Sequence, residues 1–336
     1  MRPTSPFRSR LFSLIVLFVA GPAFAVTVPD LYEASVPVTS NRDAAFVDAL
    51  RTVVIRVSGR ADAAARLGGA LNNPRQYAQR FGFTSDNILQ VAFDDVSVDR
   101  LLTEAGLPVW GRERPATLVL LNVTTAGGSS YWIDASASSA EREAIARAAR
   151  VRGVPIVWPD MTTQDRTQIN ADAAATGGDT AALLQTASRY NANAALLGTA
   201  RSDGAGGLSV RWTLASADGT ANSSGSLEDG INLAADTFAR VYSASGTTVD
   251  NLTVEVSGIN TLGAYATTLN YLEGLTVVRG VAVDQVLGDT LRFRVAVRGD
   301  AATLRRALAL DGRLVPATAL DTQPQSAEGL RFRYQP

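Results

Sequence analysis

Ala116-Thr117-Leu118-Val119-Leu120-Leu121-Asn122-Val123 is the stretch from which the fold follows. It is apolar at successive rather than alternate positions, the mark of a strand covered on both faces. What comes after it fits that setting. Gly127-Gly128-Ser129-Ser130 reads as a loop, and Ser138 is expected to cap a helix running to Arg152, with Glu141 at the capping-box distance and Gly153 as the stop. Val154 to Val157 reads as a buried strand, Thr163 to Gly178 as a polar excursion, and Thr180 to Tyr190 as a helix. Ala194 to Ala200 and Leu208 to Ala215 are strands joined at Asp203-Gly204; Asp218-Gly219 makes the next turn, and Asp229 to Ser243 is a helix. The order β-α-β-α-β-β-α predicts a mixed sheet flanked by helices, over residues 116–246.

Working outward, residues 26–115 read as a separate α+β piece. Leu31 to Val38 alternates like a strand, and Asn41 caps a helix whose Phe46, Leu50, Val53 and Val57 share one face before Gly59 ends it. A short helix is expected from Asp62 to Leu67, and Pro74 is placed to open another through Tyr77 and Phe81. Ile88 to Phe93 reads as a strand, and Ser97 as the cap of a helix over Val98 to Ala105. Residues 247–336 give β-α-β-β-α-β, the split pattern of a ferredoxin-like domain, with a hairpin turn at Gly288-Asp289. Leu330 to Tyr334 is expected to add an edge strand. The fold class is therefore α/β and α+β in three pieces.

Residues 1–25 read as a cleaved signal peptide. Arg2, Arg8 and Arg10 precede the apolar run Leu11 to Ala20, and Ala23-Phe24-Ala25 is a small-x-small cleavage site. The run is short against the roughly 20 residues that span a bilayer. Export to the periplasm by the general secretory route is expected, with no stable membrane insertion after cleavage.

Apolar residues make up 46% of the 336-residue chain and charged residues 19%, enough to build cores. All 31 basic residues are Arg; Lys, His and Cys are absent. That removes zinc sites built on His or Cys, Ser-His-Asp and Cys-His catalysis, Schiff-base lysine and the P-loop lysine. Three of the Arg precede Val26 and no acid does, so the mature chain carries 28 Arg against 32 acidic residues, a net charge of −4. Nucleic acid is thereby disfavoured as a partner. No cofactor fingerprint, calcium loop or metal-ligand spacing occurs, and no catalytic residue is assigned. Asp94-Asp95 reads as a cap or turn, because strand neighbours face opposite sides.

The residues with interaction chemistry are aromatic and charged: Trp110 with Arg114, Tyr131 with Trp132, and Trp158 with Asp160. Trp, Tyr and Arg are the usual anchors of protein interfaces, and they equally fill cores. Trp158 and Asp160 follow an expected strand at its carboxyl end, where open sheets bind ligands.

Several strings resemble a known family: Leu31-Tyr32-Glu33-Ala34, Arg42-Asp43-Ala44-Ala45-Phe46, Val57-Ser58-Gly59, Trp110-Gly111 with Arg114-Pro115, Ala187-Ser188-Arg189-Tyr190, and Arg211-Trp212-Thr213-Leu214. Together they resemble the bacterial domain of unknown function 2066 family, which implies an exported envelope protein without assigned activity. The middle piece also resembles the amino-terminal domain of TolB and the related core of curli-secretion and flagellar-assembly proteins, which implies an envelope adaptor. The resulting expectation is a non-catalytic adaptor that binds another envelope protein. A glycan or small-ligand binding module is the alternative, favoured if Trp158, Tyr131 or Trp132 line a deep pocket. A hydrolase using two carboxylates across a cleft comes third.

Overall fold

The computed structural model describes residues 25–39, 41–169, 179–205, 207–244, 249–317 and 330–335. The expected signal segment through residue 24 and most of the polar excursion, residues 170–178, lie outside them. The fold is a mixed α/β arrangement of open sheets and packed helices.

In the first piece, β2 (Glu33–Pro37), β3 (Ala78–Phe83) and β4 (Ile88–Phe93) form an antiparallel sheet in the order β2-β4-β3. Helix α1 (Arg42–Ser58) packs on it. Asn41 accepts the Ala44 N–H at 2.7 Å, and Gly59 ends the helix in the left-handed conformation at φ 69°. The helical period buries Phe46, Leu50, Val53 and Val57 completely, against Leu89 and Val91. A short helix, α2 (Ala63–Leu67), follows. The helix expected from Pro74 through Phe81 is instead one 3-10 turn, Pro74–Tyr77, followed by β3. There Phe81 sits two residues from Phe83 and meets Phe46 edge-on at 5.0 Å, a contact that strand spacing provides. Helix α3 (Asp95–Glu104) starts earlier than expected, because Asp94 rather than Ser97 is the cap: its carboxylate accepts the Ser97 N–H at 2.8 Å. Strand β1 (Ala25–Thr27) pairs with β5 (Glu113–Pro115), tying the start of this piece to its exit.

The middle sheet has the order β11-β10-β9-β6-β7. Its centre is β6 (Thr117–Thr124), within the stretch that opened the sequence reading. Strands β7 (Ser130–Ile133) and β8 (Ile156–Val157) share one edge of β6, and β9 (Ala194–Ser202) runs parallel along the other. Strands β10 (Leu208–Ser216) and β11 (Gly219–Gly225) continue antiparallel. Val119, Leu121 and Val123 enter one core, with residues of α4 (Ala140–Arg152) and α7 (Leu227–Tyr242). Leu118 and Leu120 enter the opposite core, with Leu183 and Ala187 of α6 (Thr180–Arg189). A short helix, α5 (Thr163–Gln168), precedes α6. The cap of α4 is Ser139, one residue beyond the expected Ser138; its side chain accepts the Arg142 N–H at 3.2 Å. Trp212 lies between Gly198 and Gly230, where an added Cβ would fall 2.5 Å and 2.4 Å from the ring.

The third piece contains β12 (Val249–Ser257), α8 (Leu262–Gly274), β13 (Val278–Leu287), β14 (Thr290–Arg298), α9 (Ala301–Asp311), β15 (Leu314–Pro316) and β16 (Leu330–Tyr334). The βαββαβ order is present, and the sheet order is β13-β14-β12-β16-β15. Strand β16, expected at an edge, is interior: it runs parallel to β12 and antiparallel to β15. Leu330 and Phe332 point into the core, which explains why its apolar residues alternate. The sheet ends at β13.

Candidate functional site

Two of the six candidate interaction residues are internal. Trp110 and Arg114 are fully buried, so neither presents a surface to a partner. The Arg114 guanidinium lies 3.8 Å from the centre of a Trp110 ring and donates all five of its N–H groups to backbone carbonyls. Nε reaches Gly111 at 2.8 Å, one terminal nitrogen reaches Arg152 at 3.2 Å and Gly153 at 2.8 Å, and the other reaches Arg56 at 2.8 Å and Trp110 at 2.9 Å. Arg56 is in the last turn of α1, and Arg152 and Gly153 end α4. The cation thus sits between the negative ends of two helix dipoles, and it makes no ion pair among the described residues. Burial pushes its pKa down to about 9, so it is charged at neutral pH. Arg152 completes the weld: it donates to the Gly59 carbonyl at 2.9 Å and pairs with Asp236 at 2.5 Å.

The other four do not converge on one pocket. Trp132 packs into the core under α6, whereas Trp158 packs into the opposite core, where Arg142 lies 5.7 Å from its ring centre. The sheet separates the two indoles. Tyr131 is 43% exposed. Asp160 is exposed, and its N–H donates to the Tyr190 hydroxyl at 3.2 Å. That hydroxyl donates in turn to Asp165 at 2.7 Å. Asp165 is the buried carboxylate the sequence reading passed over. Burial opposes its charge, but hydrogen bonds from Tyr190, Arg189 and Thr162 outweigh that and hold its pKa below the usual range. Its position three residues after Thr162 in a capping box was the available signal.

Two concavities lie in the third piece and its junction with the first. One is a groove of about 470 Å³ beside the β13–β14 hairpin, lined by Ile259, Leu262, Tyr265, Val283, Val286 and Leu291. Leu262 is 81% exposed and Val286 63%, and Leu287 beside them is also exposed. Strand β13 is ten residues long and pairs only with β14, so its outer edge is unpaired among the described residues. The other edges of the multi-stranded sheets are shorter or polar: β15 has three residues, β7 four, β2 five and β3 six, and β11 is the polar Gly-Thr-Ala-Asn-Ser-Ser-Gly.

The second concavity is a cleft of about 550 Å³ between α3 and the segment joining α8 to β13. Tyr32 and Arg112 close its inner end. The Tyr32 hydroxyl donates to Asp99 at 2.7 Å, and the Arg112 guanidinium lies 5.3 Å from the Tyr32 ring centre while donating to Pro29 at 3.0 Å and to Asp95 at 3.3 Å. Burial raises the pKa of both Tyr32 and Asp99. Arg279 approaches Asp99 only to 3.9 Å, an ion pair without a hydrogen bond. The Arg112 N–H donates to the Thr276 hydroxyl at 3.3 Å, and that hydroxyl donates to Glu113 at 3.3 Å, which fixes the two walls together.

Among the described residues, no helix is long and apolar enough to cross a membrane, and no three acidic side chains gather to hold a metal ion.

Comparison with protein families matches residues 25–111 to a Domain of unknown function (DUF8605). The matched stretch coincides with the first piece, from β1 to Gly111. This overturns the resemblance to the domain of unknown function 2066 family, and no comparison supports the TolB-like resemblance of the middle piece. The strings behind the first resemblance have structural explanations: Arg42 to Phe46 opens an amphipathic helix, Val57 to Gly59 closes it, and Trp110 and Arg114 pack internally. Unrelated sequences meet the same local demands with the same residue types. No curated protein and no solved structure matches the chain. The family similarity therefore rests on the first piece alone, a DUF8605-like domain followed by two further pieces.

Proposed function

We propose that the chain is a non-catalytic adaptor of the cell envelope, exported to the periplasm, that binds a partner protein by accepting one of its extended segments as a strand beside β13. The observation that carries this reading is the edge itself. The outward-facing backbone groups of a ten-residue edge strand, unpaired among the described residues, stand beside a groove whose rim exposes Leu262, Val283, Val286 and Leu287. Proteins commonly blunt such an edge with charge, proline, brevity or β-bulges, and β13 is irregular at Arg279 and at Asp284. Here Asp284 is drawn into an ion pair with Arg294, and the end of the strand remains apolar. An added strand gains main-chain hydrogen bonds from the edge and places alternate side chains in the groove. The absence of His, Cys and Lys leaves few groups for catalysis.

The test is site-specific photo-crosslinking in cells, from Val286 and from Val151 on the exposed face of α4. One envelope protein, captured from Val286 and not from Val151, is expected. Val286→Asp with Leu262→Asp removes that capture and leaves the unfolding midpoint unchanged. Equal capture from both positions, or capture indifferent to the double substitution, overturns the reading.

A further inference from the structure

The cleft between α3 and the α8–β13 segment has a chemistry that the adaptor reading does not use. Its wall on α3 is one helical face: Asp95, Val96, Asp99, Arg100, Thr103 and Glu104 recur at the spacings that place residues side by side. The opposite wall supplies Glu273, Arg279 and Arg298, with Leu275 and Val278 between them. Counting Arg112 at the inner end, four guanidinium groups face four carboxylates. The two signs do not all neutralise each other in contact.

The pairing pattern separates the groups that build the cleft from those left open. Asp95 is engaged by Arg112, and Asp99 by Tyr32. Arg279 stands 3.9 Å from Asp99, too far to hydrogen-bond. The side chains of Arg100, Arg298, Glu104 and Glu273 make no hydrogen bond or ion pair with another described residue. Three guanidinium groups with free donors therefore share the cleft with Glu104, Glu273 and the second oxygen of Asp99. A pure anion would be drawn to the arginines but would face three carboxylates, and a pure cation would face the reverse. A ligand carrying both charges meets a partner at each end. The apolar faces of Tyr32, Val96, Leu275 and Val278 accommodate a short aliphatic body between them. The volume is in the range of small-molecule sites, generous for a single amino acid and suited to two or three residues.

We propose that this cleft binds a short zwitterionic peptide. Its carboxylate lies against Arg279 and Arg298, and its ammonium against Asp99 with Glu104 or Glu273. The site shares Val278 and Arg279 with the start of β13 but no residue with the apolar groove near its end, so dipeptide binding and partner capture from Val286 are read separately.

The experiment is calorimetric titration of the purified mature chain with L-Ala-L-Ala, and separately with its N-acetyl and C-amide forms and with inorganic phosphate. The free dipeptide is expected to bind in the micromolar to millimolar range, and each blocked form at least about tenfold more weakly. Arg279 is exposed and Arg298 partly so, and Arg279→Gln and Arg298→Gln are expected to leave the unfolding midpoint unchanged. Each is expected to weaken the free dipeptide about tenfold while leaving the already weak N-terminal-ammonium-only C-amide form unchanged. Asp99→Asn is expected to weaken the C-amide form, with its unfolding midpoint measured alongside. Absence of binding up to about 10 mM dipeptide overturns the proposal. So does equal binding of free and blocked forms, phosphate binding tighter than the dipeptide, or arginine variants that bind like the parent chain.

Discussion

Replacing Arg114 with Lys keeps the charge and most of the volume, and should still cost the protein much of its stability. The guanidinium satisfies five separate backbone carbonyls, on Gly111, Arg152, Gly153, Arg56 and Trp110. A lysine ammonium has three donors at a single point, so at least two carbonyls lose their partner. Hydrogen bonds to a charged group are each worth about 1.5–3 kcal/mol, which sets the loss at about 3–6 kcal/mol before relaxation. Single substitutions above about 4–5 kcal/mol are exceptional, so about 3–4 kcal/mol is the expected value. Against a typical total of about 5–15 kcal/mol, that is a change visible in any unfolding curve. Urea denaturation followed by tryptophan fluorescence is the assay, since Trp110 stacks on the same guanidinium. The parent and variant slopes should agree, with the midpoint shifted down. Because Arg114 joins the ends of α1 and α4, the shift should appear in the first and middle pieces together. A loss below about 1 kcal/mol would refute the reasoning, since it would mean that the two lost charged bonds together are worth no more than one ordinary neutral bond.

Other outcomes follow from the same geometry. Gly198→Ala and Gly230→Ala each place a Cβ within 2.5 Å of the Trp212 ring, and should cost about 1–3 kcal/mol or more by overpacking, read as a lowered urea midpoint. Tyr32→Phe leaves the half-buried Asp99 without its 2.7 Å donor and should cost about 1–2 kcal/mol at neutral pH, measured the same way. Burial raises the Glu113 pKa above the ordinary carboxylate range, so the folded state holds the proton more tightly than the unfolded one. Stability contributed by that proton is present below about pH 4 and is lost as pH rises through the folded pKa. Glu113→Gln should therefore gain stability relative to the parent on going from pH 4 to pH 7; a difference that is flat across that range counts against the burial argument.

How much of this was legible in the sequence depended on whether a residue's neighbours in space are also its neighbours in the chain. The doubly covered β6 announced itself through unbroken apolar character, and α1 through its period and its Asn41 and Gly59 ends. Strand β11 did not, because Gly-Thr-Ala-Asn-Ser-Ser-Gly has the composition of a loop and is held as a strand by β10. Pro74 is a fair helix opener, yet the edge-on contact between Phe81 and Phe46 favours a strand after one turn. Arg114 looked like an interface anchor because nothing local says that a guanidinium will find the carbonyls of Arg56 and Arg152, far away along the chain. The exposure of β13 was hidden for a related reason. Leu275 to Val283 reads like any apolar strand, and only the sheet order shows that β13, at Val278–Leu287, has no described strand beyond it. The cleft between α3 and β13 joins parts of the sequence with no common signal.

The interior place of β16 governs the order in which the third piece can be assembled. Helices and the β13–β14 hairpin form from local contacts, but β12 meets β16 only across a separation of 76 residues, as between Ser257 and Arg333. Loop closure of that kind is entropically late and makes sheets slow to complete. Until it happens, β12 is a second bare edge, and β15 has no strand to lie against. The half-built sheet thus offers open backbone on both sides, whereas the finished one offers it at β13 alone among its long strands. Protection from unwanted pairing during maturation falls to five residues, Leu330–Tyr334, arriving after everything they must join.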